Sequence, residues 1–331
     1  MSFDQKILII RFSSIGDIIL ATSPLKTIRL NYPKARITFL TLNQFVPLLE
    51  FHHDIDEVIG IQRNKSIQDL WKFSTFIKDK QYDIIYDLHN SLRSKLLTMQ
   101  ISNPIYQLQK PRWNRFMLFQ FHKNRFPENF STRKMYHQHL GNIWKNSDEV
   151  PGTFLFVSKA EKSFAIKLLK SHSIEGPYLS IVPGSAWRQK QWSLKKYISL
   201  IKKIEKDVVI IGSSRDKICF QIAEKLPDAL NLAGKTTLRQ SLAILSQSDY
   251  VIGSDTGLLH AAEALGVAVT MILGPTSRQT GAGTYLDSST TIEDDVWCRP
   301  CSQNGSIPCY RKTQVCMDSI LVKDIFNSIP N

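Results

Sequence analysis

Tyr250-Val-Ile-Gly-Ser-Asp255-Thr256-Gly257-Leu258-Leu259-His260 runs from an apolar stretch through a Ser-Asp-Thr-Gly turn into Ala261-Ala-Glu-Ala-Leu-Gly266. A second apolar run, Ala268-Val-Thr-Met-Ile-Leu, then ends at Gly274-Pro275-Thr276. A short apolar run, a turn, an Ala/Leu-rich helical stretch and another apolar run form the pattern of a βαβ unit. In open α/β sheets, ligands lie beyond the carboxyl ends of the strands, and a helix starting there aims the amides of Thr256, Gly257 and Leu258 at whatever binds. Unpaired amides and the helix dipole favour an anion, phosphate above all. An Asp at such a turn is also an ordinary N-cap, so Asp255 alone decides nothing.

The same alternation extends outward in both directions. Upstream, Tyr178 to Val182, Asp207 to Ile211 and a short Ala229 to Leu232 read as strands, with helices at Leu194 to Glu205, Asp216 to Leu226 and Leu238 to Ser246. In the first half, strands at Lys6 to Arg11, Ile37 to Leu42, Glu57 to Ile61 and Tyr82 to Leu88 alternate with helices at Asp17 to Leu30, near Phe45 to Phe51, at Ile67 to Lys80 and from Ser91. Such repetition predicts parallel sheets with helices on both faces. Between Asn146 and Pro177 the pattern weakens around Pro151-Gly152 and Glu175-Gly176-Pro177, which predicts a linker there. The expected α/β domains are residues 1–165 and 166–331, with the last helix a candidate to pack back on the N-terminal domain.

At 331 residues and 43% hydrophobic content, the chain is long enough for two cores. No apolar run approaches the roughly 20 residues that span a bilayer. Ile7-Leu-Ile-Ile10 is too short for a signal-peptide core, so a cytoplasmic protein is expected. A net charge of +13 calls for an anionic partner. Between Leu88 and Pro127 no acid occurs, yet Arg93, Lys95, Lys110, Arg112, Arg115, Lys123 and Arg125 all do, with Trp113, Phe116, Met117 and Phe121 at near-helical spacing. That stretch reads equally as a helix packed on its own domain and as a surface for acidic lipid. Four of the five cysteines crowd into the tail as Cys298-x2-Cys301-x7-Cys309-x6-Cys316. One C-x-x-C pair is half a zinc site; with no second pair, reduced thiols packing a loop are preferred to structural zinc, and a disulfide is least expected.

Neither half carries the G-x-G-x-x-G fingerprint after its first strand, nor is a G-x-x-x-x-G-K-[ST] loop present, which counts against a nicotinamide dehydrogenase and a P-loop NTPase. Two other strand-end segments accompany the Asp255 turn: Arg11-Phe-Ser13-Ser14-Ile-Gly16-Asp17 and Pro183-Gly184-Ser185-Ala-Trp-Arg188-Gln-Lys190-Gln-Trp192. In this order, and across almost the whole chain, the three resemble the bacterial heptosyltransferase family. That resemblance implies the GT-B fold, two facing Rossmann-like domains with a cleft between them, the first binding an acceptor and the second a nucleotide-sugar donor.

Gly16 lets the backbone bend off the first strand, and Asp17 has first-turn capping as its ordinary role. The resemblance makes Asp17 the general base, beside Ser13, Ser14 and Gly16, with Arg93, Arg112 and Arg115 as cations for an acidic acceptor. On the donor side it implies Ser185, Arg188, Lys190, Asp255, Thr256, Gly257, Leu258, His260, Gly274 and Thr276. Lys190 matches the lysine that binds donor phosphates, and as a strand-end charge its loss is expected to spare the fold. His260 reads as a satisfied structural histidine. The glutamate that often holds the donor ribose is not evident; in Gly212-Ser-Ser-Arg-Asp216 only Asp216 could substitute. The implied reaction is inverting transfer of heptose from ADP-heptose to the acidic lipid A-core of lipopolysaccharide, by an enzyme peripheral on the inner face of the cytoplasmic membrane. No cofactor is expected, and no Asp-x-Asp metal motif is read into the site, so neither is a catalytic metal. The rivals are another sugar donor or acceptor within the same family, and a basic nucleic-acid-binding protein; no nucleic-acid module is readable, so no nucleic-acid partner is expected.

Overall fold

After its first residue, strand β1 (Lys6–Ile10) is an unbroken aliphatic run, the pattern of a strand covered on both faces, and Ile7 to Ile10 are fully buried. The computed structural model, which describes residues 5–146 and 149–330, sets β1 at the middle of a parallel sheet. Its partners are β2 (Arg36–Leu42), β3 (Glu57–Ile61), β4 (Ile84–Asp87) and β5 (Ile105–Gln107), in the order β3-β2-β1-β4-β5. Helices α1 (Ile15–Leu20), α2 (Ser23–Asn31), α3 (Ile67–Asp79) and α4 (Leu92–Thr98) connect these strands. The single helix expected from Asp17 to Leu30 is thus two. Pro24 lacks the N–H that would carry the ladder on, and Thr22 serves as the new N-cap residue. Helices α5 (Arg112–Phe121) and α6 (Thr132–His137) follow β5.

The second sheet repeats the plan with β6 (Tyr178–Val182), β7 (Asp207–Ile210), β8 (Leu230–Asn231), β9 (Tyr250–Ser254), β10 (Val269–Leu273) and β11 (Thr290–Glu293), all parallel, in the order β11-β10-β9-β6-β7-β8. Its helices are α7 (Lys159–Lys170), α8 (Leu194–Ile201), α9 (Lys217–Lys225), α10 (Leu238–Leu245), α11 (Gly257–Ala264), α12 (Val315–Asp318) and α13 (Val322–Phe326). Each sheet reverses its winding beside its first strand, between β1 and β4 in one and between β6 and β9 in the other. Those switch points open crevices at the carboxyl ends of the strands.

Two compact units result, Met1–Lys110 with Thr132–Phe156, and Pro111–Ser131 with Val157–Asn331. Three details differ from the expected organisation. The segment carrying α5 groups with the second unit. The boundary falls before residue 165, because α7 packs on α10. Finally, α13 lies against α8, and Ile325 is buried in the second unit's core.

The expected linker thus contains a twelve-residue helix, and Ser158-Lys-Ala-Glu161 is a capping box that announces it: Glu161 Oε2 accepts from Ser158 N at 2.8 Å. The same carboxylate takes Arg239 Nε and Nη2, each at 2.6 Å, clasping α7 to α10. Those bonds, chiefly Arg239's, outweigh burial and hold the Glu161 carboxyl at about 2, against an ordinary 4.5. Because the folded-state value is depressed, the clasp stabilises fully above about pH 4.5 and fades as the pH falls toward 2. Glu161→Gln is expected to cost about 2 kcal/mol at pH 7, with the deficit shrinking on acidification in thermal unfolding. A pH-independent deficit would show that packing, not the ion pair, was lost.

Candidate active site

In the first unit, the chain leaves β1 through Arg11-Phe12-Ser13-Ser14 and enters α1 two residues before Asp17. Arg11 Nη1 donates to the carbonyl of Leu88 at 2.8 Å, fastening this loop to the one after β4, and Nη2 pairs with Asp17 Oδ1 at 2.8 Å. Asp17 Oδ2 accepts from Ser14 N at 3.1 Å and Ser14 Oγ at 2.9 Å. Asp17 therefore does cap its helix, but its side chain stays 39% exposed against 9% for Arg11. The cation sits behind the carboxylate, which remains open in front. Burial opposes ionisation of Asp17, yet attraction to Arg11 and the bonds from Ser14 together prevail and hold its pKa below the ordinary value. Asp17 is a carboxylate throughout the physiological range.

More groups gather at this switch point than the motif names. Buried Asp87, the last residue of β4, accepts from the amides of His89 and Asn90 at 3.1 and 2.8 Å and so shapes the turn. The His89 ring meets Phe12 edge-on at 4.9 Å, and Arg93 stands 5.9 Å over the other aromatic contact of that loop, the Phe12 ring itself. Lys110 donates to the carbonyl of Asn90 at 3.2 Å. Burial first, then the nearby charges of Arg11, Lys110 and Arg93, push the His89 pKa down to about 3, leaving a neutral imidazole. Arg93 thus lies over the loop that leads to Asp17. Arg112 and Arg115 do not join it within this unit, since α5 groups with the other one.

In the second unit, the loops after β6 and β9 meet across the switch point. Lys190 Nζ pairs with Asp255 Oδ2 at 2.8 Å, both side chains nearly buried at 13% and 11% exposure. Thr276 Oγ1 donates to the same oxygen at 2.9 Å, and Ser185 Oγ donates to the Asp255 carbonyl at 3.3 Å. Thr256, in extended backbone, caps α11, while Gly257 and Leu258 open it and stay partly accessible. Lys190, the Asp255 carboxylate, the hydroxyls of Ser185 and Thr276 and the start of α11 are thus gathered together, and a cation beside a helix start is an arrangement that favours an anion. Arg188 shares the 3-10 turn of Lys190 but is exposed. His260 is buried with Nδ1 lacking a hydrogen-bond partner, so the expected satisfied histidine is not found. Asp216 accepts from Ser213 N at 2.7 Å and Ser213 Oγ at 2.8 Å, closely overlying Gly184, where a Cβ would collide with its carboxylate.

A sequence model of glycosyltransferase family 9 (heptosyltransferase) matches residues 70–310, which include the Lys190 and Asp255 loops. The chain belongs to that family. The lipopolysaccharide heptosyltransferase 2 of Escherichia coli (strain K12) is 25% identical over 310 residues, covering 82% of this chain and 84% of that protein. Among solved structures, E. coli ADP-heptose LPS heptosyltransferase II superposes with a TM-score of 0.73 at 22% identity, covering 98% of this chain and 97% of that one. E. coli heptosyltransferase WaaC with ADP-2-deoxy-2-fluoro heptose gives a TM-score of 0.67 at 16% identity, covering 97% and 99%. The two parallel-sheet units are the GT-B fold expected, and this family 9 chain is a glycosyltransferase.

In this family 9 enzyme the cysteine tail packs on the Gly274–Thr276 loop and on Lys190. Arg299 donates to the carbonyls of Gly274 and Thr276, the latter at 2.7 Å, and pairs with Glu293 at 2.7 Å. The amides of Cys301 and Ser302 donate to the Pro275 carbonyl at 3.1 and 3.2 Å. Gly305, at φ 82°, lies directly on the Lys190 side chain, where a Cβ would not fit. Cys298, Cys301, Cys309 and Cys316 are free thiols, and among the described residues no three or more His, Cys, Asp or Glu side chains converge as metal ligands. One Asp-x-Asp does occur in the sequence, Asp54-Ile-Asp56, correcting the expectation of none. It lies before β3, at the amino end of the sheet, where Asp56 Oδ2 is taken by Arg29 at 2.7 Å and by Ile37 N at 2.8 Å. It is a structural pair, not part of either crevice.

Proposed function

We propose that this family 9 enzyme transfers heptose from ADP-heptose to the core of lipopolysaccharide, with inversion and without a catalytic metal, while peripheral on the cytoplasmic face of the inner membrane. The observation that carries the reading is the Lys190–Asp255 pair at the start of α11, beside the partly accessible first turn at Gly257 and Leu258. Relatives named for heptose transfer and one crystallised with an ADP-heptose analogue support the same donor. Breaking the glycosyl–phosphate bond puts positive charge on the sugar and negative charge on the departing diphosphate. Lys190 and the helix start stabilise the latter, the larger part of the catalytic work. In the other unit, Asp17 takes the proton of the acceptor hydroxyl as its oxygen forms the new bond from the face opposite the leaving group. Arg11 and Ser14 keep that carboxylate ionised and fixed. Arg93 and Lys110 supply charge for an acidic acceptor.

A panel of nucleotide sugars followed by thermal unfolding tests the donor. ADP-heptose is expected to raise the melting temperature most, its stabilisation reaching about 2.7 kcal/mol when it is present at 100 times its Kd. A larger shift with another nucleotide sugar would replace the donor and keep the enzyme class. That second reading is favoured by one observation: Asp216, the one candidate to stand in for the ribose-binding glutamate, gives Oδ2 of its carboxylate to Ser213. Tight, steeply salt-dependent binding of random RNA or DNA would instead favour the nucleic-acid reading.

A further inference from the structure

Helix α5 buries almost nothing. Of its ten residues only Leu118 is buried, while Trp113, Phe116 and Phe121 are 67%, 47% and 56% exposed. These rings touch one another rather than a core: Trp113 stacks on Phe116 at 5.7 Å, and Phe116 meets Phe121 edge-on at 5.7 Å. One continuous aromatic strip therefore runs along the solvent side of the helix. Exposed Arg112, Lys123 and Arg125 flank it, inside the stretch from 89 to 126 that holds no acidic residue.

A second group of the same character sits on the same compact unit. At the end of α5, His122 turns left-handed at φ 52° and its Nδ1 donates to the Arg299 carbonyl at 3.2 Å, fastening the helix to the tail. Two residues away Trp297 is exposed, with the Arg311 guanidinium 5.1 Å over its ring, and Tyr310 and Ile307 are exposed alongside in the sequence. Trp and Tyr rings with adjacent Arg and Lys are the side chains that settle at a membrane–water interface, where the ring finds the acyl boundary and the cation finds phosphate.

We propose that α5 and the 297–311 segment form the surface by which this enzyme docks on an anionic phospholipid bilayer. The inference rests on the proposed lipid-linked acceptor and says which face meets the membrane that holds it. Charge selects the occupant. A second copy of a chain with net charge +13 would bring the same cations against this strip, whereas a bilayer rich in phosphatidylglycerol offers the complementary sign over its whole area. No helix among the described residues is long and apolar enough to cross a membrane, so attachment of this kind is interfacial.

The test uses the full chain and sedimentation with vesicles of phosphatidylethanolamine and phosphatidylglycerol, or of phosphatidylcholine alone. Wild type is expected to bind the anionic vesicles about tenfold or more tightly, and less so as salt rises. Trp113→Ser/Phe116→Ser/Phe121→Ser is expected to lose about tenfold or more of that binding, and Lys123→Glu/Arg125→Glu a similar amount, while both keep the ADP-induced thermal shift that reports an intact second unit. The aromatic variant should also turn over acceptor in detergent normally and acceptor in vesicles poorly. Equal vesicle binding by wild type and the aromatic variant would overturn this surface and leave the proposed reaction standing. A wild-type dimer that the aromatic substitutions split, with vesicle binding unchanged, would likewise overturn it by making the strip a self-interface. Loss of vesicle binding in the variants of an enzyme that ignores every lipopolysaccharide acceptor would sustain the surface and overturn the proposed acceptor.

Discussion

Asp17→Asn is expected to lower turnover by roughly 10²-fold or more while ADP binding survives. The side chain keeps its size and one acceptor oxygen, so Ser14 N retains a partner, but it no longer accepts a proton at neutral pH. The amide also turns an N–H₂ toward Arg11 or Ser14 Oγ, both of which donate to Asp17 in the wild type. Some stability is therefore lost, about 1 kcal/mol, kept small because water reaches the partly exposed side chain. The proposed donor site lies in the other unit and is not expected to respond. A fully active Asp17→Asn enzyme would remove Asp17 as the base. Arg11 gives a second readout. Since Arg11 and Ser14 favour the ionised form, the acid limb of turnover due to Asp17 lies below the ordinary carboxylate range, under about pH 4. Arg11→Met removes the chief opposition to burial, so that limb should move to higher pH. An unmoved limb would mean that Arg11 only fastens the loop to Leu88.

Lys190→Ala should weaken ADP-sugar binding by about 10- to 100-fold, the worth of one charge-assisted hydrogen bond. Sequence alone suggested that the fold would be spared. The nearly buried pair with Asp255 says otherwise, because removing the lysine strands a carboxylate at a cost of about 3 to 5 kcal/mol. Lys190→Ala/Asp255→Asn separates the two effects: stability should recover and affinity should not. Calorimetry showing wild-type affinity in the double variant would take Lys190 out of the donor site.

Why the sequence spoke clearly about some parts and not others follows from the physics of each. β1 and β9 are covered on both faces, so they read as uninterrupted apolar runs, and the glycine-bearing turns after them mark strand ends without needing tertiary contacts. The parallel sheets and their strand-end loops were legible for that reason, while Asp17, Lys190 and Asp255 were singled out within those loops by the family resemblance. Pro24 was visible but was outweighed by the apolar periodicity around it, and the Ser158–Glu161 capping box was hidden by neighbouring Pro and Gly. The partners of the site residues were the hardest part. Arg11, Asp87, His89 and Lys110 converge only because β1 and β4, some eighty residues apart, are sheet neighbours, and local pattern carries no such information. A Rossmann strand order, once assumed, would have pointed to the Asp87–Asn90 turn as the other lip of the first crevice. Lys190 was found by its position, yet its burial against Asp255 and Gly305 depends on a tail more than a hundred residues downstream.

That tail sets an order of events during synthesis. Among the described residues the strands β1 to β11 are complete by Glu293, but the Gly274–Thr276 loop is held by Arg299, Lys190 is overlain by Gly305, and Ile325 is buried in the core. A growing chain therefore holds the residues of both sheets before it holds those that complete the proposed donor site. Chains truncated just after Glu293 should not be retained on immobilised ADP, and retention should return only in chains that extend through Ile325. On the proposed donor site, engagement of the sugar nucleotide thus waits for the segment that carries Arg299, Gly305 and Ile325.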